Sequence, residues 1–162
     1  MRLALILSLL AAPAFAGVAQ YEACIGPEFE ERLMANYAQR FPSDPCTSSA
    51  TCPAAQVEST TRLTRGHCRA EALADCESQK CILGLKERWG SEAADLRTQI
   101  DARLADVDFE QLPALQARRL SNPDRWFTPP SCVGDANACE ADWAGQALGD
   151  LERIASEVEA LQ

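Results

Sequence analysis

Eight cysteines are the residues of this chain whose type and spacing could do chemistry. No two of them have the C-x-x-C spacing of a thioredoxin-like redox motif or a c-type haem site. Structural zinc sites combine closely spaced ligand pairs, whereas the tightest spacing here is Cys76 to Cys81, and His67 is the one histidine. We therefore predict no metal and no cofactor, and an even cysteine count predicts disulfides instead. The eight positions are Cys24, Cys46, Cys52, Cys68, Cys76, Cys81, Cys132 and Cys139.

The spacing of these cysteines narrows their pairing without fixing it. In one continuous helix Cys76 and Cys81 would lie about 8 Å apart along the axis, whereas bridged Cα atoms lie within about 7 Å. We expect a bend over residues 75–78, which would let Cys68 face Cys81 across a helical hairpin. Cys132 and Cys139 flank a turn-rich loop and are expected to pair locally. The remaining connectivity stays open.

No set of residues in the sequence completes a catalytic site. His67 has no nucleophile and orienting acid beside it, as a hydrolytic triad requires. Neighbouring acids such as Asp106 and Asp108, or Glu140 and Asp142, resemble the carboxylate pairs of glycosidases, but such pairs arise by chance among 24 acidic residues. We predict no catalytic residue and a protein that is not an enzyme, with a carboxylate-dependent hydrolase as an alternative.

The irregular segment before Cys132 carries the best candidate for a binding patch. Arg125, Trp126 and Phe127 are consecutive and precede a double proline. Aromatic and arginine side chains are enriched where interfaces are strongest, so we predict that these three residues bind a partner. The alternative is that Trp126 or Phe127 plugs one end of the fold.

Helical periodicity must position these groups. Phe29, Leu33, Tyr37 and Phe41 predict a first helix that opens at Gly26-Pro27 and is ended by Pro42 and Pro45. A second helix is expected over residues 53–68. The third is the strongest, because its apolar residues step by three or four positions; they are Ile82, Leu85, Trp89, Ala93, Leu96, Ile100, Leu104 and Val107.

Two further helices complete the expected architecture. One is predicted over residues 109–120, with Leu112, Leu115 and Leu120 facing inward. The last is predicted from Ala138 to the end of the chain, with Asn137 as N-cap and Glu140 at the capping-box position. Since no strand pattern appears, the predicted fold class is all-α, a bundle of four or five helices stapled by up to four disulfides.

The first sixteen residues predict export. Arg2 precedes an apolar run, and Ala14-Phe15-Ala16 is an A-x-A cleavage site, which is the pattern of a secretory signal peptide. We expect residues 1–16 to be removed and residues 17–162 to form one disulfide-linked helical domain, periplasmic or secreted, with no membrane insertion after cleavage. The formal net charge of −9, or −10 without Arg2, disfavours nucleic acid and favours a basic protein partner.

Residues 67–100 resemble the lysozyme inhibitor LprI family of exported bacterial proteins. The similarity rests on Cys68 closing one helix, a short loop, and the pair Cys81-Ile82 opening the next helix, with Arg88 and Leu96 further along. The resemblance implies a small helical protein that blocks a lysozyme-like cell-wall hydrolase. The leading hypothesis is therefore a periplasmic or secreted non-enzymatic binding protein whose target is a basic protein such as a lysozyme. The second hypothesis is a structural or assembly factor of the cell envelope.

Overall fold

The protein is described from a computed structural model, which defines residues 16–44, 46–121, 132 and 134–161. Within these ranges the chain forms six α-helices and one short 3-10 helix, and no strand. The all-α class predicted from the sequence is confirmed. The helices are α1 (Ala16–Ile25), α2 (Phe29–Arg40), α3 (Ala54–Ala74), α4 (Gln79–Leu104), α5 (Ala114–Leu120) and α6 (Ala136–Glu159), with the 3-10 helix at Phe109–Gln111.

The long helices α4 and α6 pack along each other and form the centre of the fold. Helix α3 packs against α6 and also carries α1 and α2. The apolar stripes predicted for α4 and α6 face this interior: Leu85 and Ile100 of α4 and Leu151 and Ile154 of α6 are buried. None of the described helices is both long enough and apolar enough to span a bilayer.

Helix α1 is an element that the sequence analysis missed. Its apolar residues are spread around most of its circumference, and the segment directly follows the apolar run assigned to the signal peptide. The structure buries Gly17, Tyr21 and Cys24 on one side of it. Those positions are four and three residues apart, which is helical spacing. This spacing is the sequence signal by which the helix could have been identified.

Helices α3 and α4 are joined by the bend that we predicted. Ser78 caps α4, and its Oγ accepts a hydrogen bond from the Cys81 backbone N at 3.2 Å. The predicted end of α3 near Cys68 is wrong, because the helix continues through Gly66 to Ala74. A glycine inside a helix costs only about 1 kcal/mol relative to alanine, which the packing of a long helix offsets.

Two predictions near the C-terminal half are also wrong. The single helix expected over residues 109–120 is split at Pro113. Proline lacks an N–H group and holds the preceding residue in extended conformation. Leu115 consequently faces outward and is 80% exposed. Helix α6 is capped by Asp135 rather than Asn137: the Asp135 carboxylate accepts from the Asn137 and Ala138 backbone N atoms at 3.0 and 3.2 Å, and a carboxylate also suits the positive end of the helix dipole.

The buried side chains form two clusters. What we call the first cluster lies where α1, α3, α4 and the first half of α6 meet, and it includes Tyr21 packed edge-to-face on Trp89 with ring centroids 5.7 Å apart. The second cluster lies where the last turns of α4, helix α5 and the second half of α6 meet. Its fully buried members are Ile100, Leu120, Leu151, Ile154 and Val158.

All eight cysteines are paired in four disulfides. The local bridge Cys132–Cys139 is confirmed, with its Cα atoms 5.8 Å apart. The pairing of Cys68 with Cys81 is wrong. The bend at residues 75–78 brings Cys76 and Cys81 themselves to a Cα separation of 5.4 Å, and Cys68 turns toward the unforeseen helix α1. The four bridges are Cys24–Cys68, Cys46–Cys52, Cys76–Cys81 and Cys132–Cys139.

This disulfide content points to an oxidising environment. Bridges of this number persist in secreted and extracytoplasmic proteins and are rare where thiols are kept reduced. Two of them connect neighbouring helices: Cys24–Cys68 joins α1 to α3, and Cys76–Cys81 joins the end of α3 to the start of α4. Covalent links of this kind restrict the unfolded chain and so stabilise the fold.

Candidate functional site

The residues predicted to bind a partner, Arg125, Trp126 and Phe127, lie outside the described part of the chain, as do the first fifteen residues of the predicted signal peptide. Both predictions therefore stay predictions. The described residues nearest in sequence to the aromatic pair are Ser121 and Cys132, and Cys132 is bridged to the first turn of α6.

Of the titratable residues singled out from the sequence, Asp106 and Asp108 line one cavity of about 200 Å³, and the others lie elsewhere. His67 lies on the exposed side of α3. Asp108 caps the 3-10 helix through a 3.1 Å hydrogen bond from the Glu110 backbone N. Glu140 pairs with Lys86 of α4, and Asp142 accepts from the Gln146 side chain at 2.7 Å. Among residues 16–44, 46–121, 132 and 134–161, no group of three or more His, Cys, Asp and Glu side chains could hold a metal ion.

A polar cluster inside the helix interface went unnoticed in the sequence. The Arg69 guanidinium donates to Glu152 of α6 at 3.1 Å, and both side chains are only 9% exposed. Arg65 donates to the other oxygen of the same carboxylate at 3.1 Å. Gly145 and Gly149 make this possible, because a Cβ at Gly149 would lie 2.9 Å from an Arg69 terminal nitrogen.

A small cavity of about 210–250 Å³ lies on either side of this cluster. One of them faces Tyr21, whose hydroxyl donates to Glu92 at 2.9 Å. Burial raises the pKa of the Tyr21 phenol, and the neighbouring Glu92 charge raises it further. Glu152 is held by two arginines, and Glu92 is held by Tyr21 and by Arg88. Carboxylates engaged in this way connect α1 to α4 and α3 to α6.

A larger cavity of about 540 Å³ opens between α4 and the start of α6. Its volume is in the range of small-molecule sites, roughly 300–1,000 Å³. Among the described residues its walls are mainly apolar, with Lys86 and Glu140 as the charged side chains, which is the usual balance in binding sites. The described lining residues are Lys86, Gly90, Cys132, Ala136, Glu140, Trp143 and Ala144.

Gly90 explains why this cavity exists. Gly84 and Gly90 both lie on α4, but their surroundings differ. A Cβ at Gly84 would meet Val18 of α1 at 3.2 Å, whereas a Cβ at Gly90 would meet nothing within 4 Å. The missing side chain leaves space beside α4, and a neighbour-free glycine at this point could not be distinguished from a contact glycine in the sequence.

Trp143 and one ion pair give the cavity its chemical character. Trp143 is half-buried and packs against the first cluster, so its indole is held in place by the core. Lys86 and Glu140 form an ion pair from α4 to α6, with side chains 40% and 45% exposed. The cavity therefore combines a fixed aromatic surface with two solvent-accessible charges of opposite sign.

The residues that carry the resemblance to the LprI family are mostly structural. Cys68 and Cys81 are buried in different disulfides, and Cys68 lies inside α3 rather than closing it. Arg88 is exposed and pairs with Glu92 at 3.1 Å. No protein-family model matches this chain, and no curated protein or solved structure is significantly similar to it.

Proposed function

We propose that this chain is a non-enzymatic binding protein of an oxidising extracytoplasmic compartment, and that its partner is a basic protein. The single observation that carries the proposal is the contrast between its polar groups and its largest described cavity. The carboxylates of Glu152, Glu157 and Glu92, which are 9%, 22% and 24% exposed, are all held in ion pairs, whereas the cavity beside Trp143 is open, mainly apolar and bordered by charges.

Charge favours a cationic partner. The chain carries 24 acidic and 15 basic residues, and many of the described arginines are already engaged with carboxylates on the same or a neighbouring helix. An acidic surface accelerates the encounter with a cationic protein and rejects anionic ones. A rigid scaffold with disulfides suits such a role, because a preorganised surface loses less entropy on binding.

The finer proposal names a lysozyme-like cell-wall hydrolase as the target. It is supported by the resemblance of residues 67–100 to the LprI family and by the acidity of the chain, since many lysozymes are strongly basic. Inhibition would require that a part of the protein cover the substrate cleft of the hydrolase, and Arg125, Trp126 and Phe127 are the residues proposed to contribute there.

The test uses the full oxidised protein after export. Binding to a panel of basic lysozymes is measured by a surface-based assay at low and at high ionic strength, together with their rate of cell-wall lysis. We expect binding that weakens as salt rises, because screening shortens the range of charge attraction, and a reduced lysis rate for at least one target. An acidic hydrolase is the matched control. The absence of binding to every basic member of the panel contradicts the proposal.

A carboxylate-dependent hydrolase is the alternative that one observation favours. Glu92 and Glu152 line the same cavity of about 250 Å³. Glycoside hydrolysis by the oxidised protein that is abolished in Glu92→Gln, with the fold intact by circular dichroism, would support the hydrolase and count against a purely binding role.

A further inference from the structure

The cavity of about 540 Å³ between α4 and α6 has the properties of an anchor site. We propose that it receives one apolar side chain of a protein partner, and that a basic group adjacent to that side chain pairs with Glu140. This inference rests on the proposed function, because it specifies which surface of the chain contacts a basic protein and by what chemistry.

The shape of the cavity suits a single large side chain. Interface anchors are typically aromatic or long aliphatic groups that insert into a pocket with fixed walls. Here the wall on α4 includes the bare backbone at Gly90, where an added Cβ would meet nothing within 4 Å. The wall on α6 is Trp143, which is itself packed against the first cluster. These two walls belong to long helices and do not depend on a partner for their position.

The apolar walls of the cavity favour the binding of an apolar side chain. Ala136 and Ala144 contribute methyl groups, and the Cys132 half of the Cys132–Cys139 bridge closes one end. Because this bridge links the approach to α6 with its first turn, it holds that end of the cavity covalently. Burial of an aromatic ring against an indole adds a geometric preference for offset or edge-to-face packing.

The ion pair at the cavity provides the charge selectivity. Lys86 and Glu140 are each roughly half-exposed, and ion pairs in such surroundings contribute little to stability, typically under about 1 kcal/mol. Exchange of Lys86 for a cation of the partner therefore costs little. The flexible lysine stem can turn into solvent, whereas Glu140 is fixed on α6 one turn before the neighbouring wall residue Ala144.

The charge of the chain favours an incoming cation over an anion. The sequence carries 24 acidic and 15 basic residues, a formal net charge of −9, and Glu140 is the acid among the described residues that line the cavity. An arginine or lysine of the partner, placed beside the inserted side chain, is therefore attracted by the chain as a whole and can pair with Glu140.

The direct test titrates the oxidised full chain with the dipeptide arginyl-phenylalanine amide as probe. Binding is followed through the Trp143 indole N–H resonance in ¹H–¹⁵N spectra, which is assigned with Trp143→Phe. We expect this resonance to shift saturably with arginyl-phenylalanine amide. Much weaker shifts are expected with arginyl-alanine amide, which lacks the anchor, and with glutamyl-phenylalanine amide, which reverses the charge.

Two glycine variants form a matched pair. Gly90→Leu fills the cavity from α4 and should weaken probe binding by roughly tenfold or more, because the space for an apolar group is lost. Gly66→Leu is its control, since Gly66 is also inside a long helix and a Cβ there also meets nothing within 4 Å. Both variants should remain folded, and Gly66→Leu should bind the probe like the native chain. Glu140→Gln should remove the preference for the arginyl over the glutamyl dipeptide.

The outcomes separate this inference from the proposed function. If the native chain binds a basic lysozyme and Gly90→Leu binds it equally well, the anchor site is wrong and the binding role survives. If the probe binds at Trp143 but no basic protein does, the cavity is a site and the proposed partner class is wrong. If the probe binds only after Trp126→Ala and Phe127→Ala are introduced, the chain's own segment occupies the cavity, and the inference is overturned.

Discussion

The first cluster of the core mixes aromatic and small side chains, the second is aliphatic, and the two are secured differently. Cys24 and Cys68 belong to the first cluster, and Cys76 packs against it, so two disulfides converge there. None of the four disulfides involves a residue of the second cluster. The second cluster instead combines aliphatic packing with ion pairs on its surface, such as Arg119 with Glu157.

Helix length accounts for one of the two bridges at the first cluster. Helix α1 has 10 residues, and isolated helices of this length are marginal in water. The Cys24–Cys68 bridge fastens this short helix to α3, whereas Cys76–Cys81 secures the turn between two long helices. The second cluster is built mainly by α4 and α6, with 26 and 24 residues, and there apolar packing also holds the short helix α5.

Removal of the bridge between α1 and α3 should sharpen this contrast most. Replacing Cys24 and Cys68 by alanine opens a loop of 44 residues, for which chain entropy predicts a loss of about 4 kcal/mol in the free energy of unfolding. Replacing Cys76 and Cys81 by alanine opens a separation of 5 residues and should cost about 2 kcal/mol. Denaturant unfolding of the two double variants measures both. Equal losses would show that loop length does not govern these bridges.

A truncation in the second cluster should have the next largest effect. Ile154 is fully buried, and Ile154→Ala should lower the free energy of unfolding by about 3 kcal/mol through lost burial and a residual cavity. Because no disulfide holds this cluster, backbone amides of α5 and the last turns of α6 should exchange faster than those of α3. Native-state hydrogen exchange measures the distribution. A uniform increase in exchange across both clusters would contradict the separation we describe.

Close packing at the first cluster should make Gly17 intolerant of a side chain. A Cβ at this position would lie 2.5 Å from the Cys76 Sγ and 2.7 Å from the Ala72 carbonyl oxygen. Gly17→Ala should therefore destabilise the protein by about 2 kcal/mol through overpacking. Thermal unfolding measures the loss, and Ala19→Ser, on the exposed side of α1, is the control for a general effect on this helix. A neutral or stabilising Gly17→Ala would mean that α1 does not pack on the Cys76–Cys81 bridge.

The smallest predicted effect is a gain in stability rather than a loss. Gly90 faces open space, so Gly90→Ala should raise the free energy of unfolding by about 1 kcal/mol through better helix propensity alone. The comparison is Gly145→Ala, which should destabilise, because its Cβ would meet the Trp89 ring at 3.2 Å. Thermal unfolding of the two variants measures the difference. A destabilising Gly90→Ala would show that the cavity beside it is closed.

Much of the architecture could be predicted because long apolar stripes are written directly in the sequence. The stripes of α4 and α6 fix one face of each helix, and this was enough for the all-α class. The predicted α4 stripe was one residue too long, because Val107 lies beyond the end of the helix at Leu104. The predicted ends of two helices were wrong because a single residue set each end. Pro113 splits one helix, and Asp135 caps α6 in place of Asn137. Helix α1 was missed because its own small and apolar residues lie on most sides of the helix and so form no single apolar stripe.

Contacts between distant residues could not be predicted in the same way. The bridge Cys24–Cys68 depends on where α1 packs, and local spacing therefore favoured the wrong partner for Cys68. The ion pair of Arg69 with Glu152 joins residues far apart in the chain, and each residue alone resembles an ordinary surface charge. Trp143 was recognised as part of an apolar stripe, but the cavity beside it arises only when Gly90 of α4 is placed opposite.

Disulfide mapping of the native, unreduced protein by mass spectrometry tests the central claim most directly, which is that the cysteines are structural clamps concentrated on the first cluster. We predict four linked peptide pairs, Cys24–Cys68, Cys46–Cys52, Cys76–Cys81 and Cys132–Cys139, and no thiol that reacts with an alkylating reagent before reduction. A Cys68–Cys81 link, or a free or metal-bound thiol in the folded protein, would contradict the account.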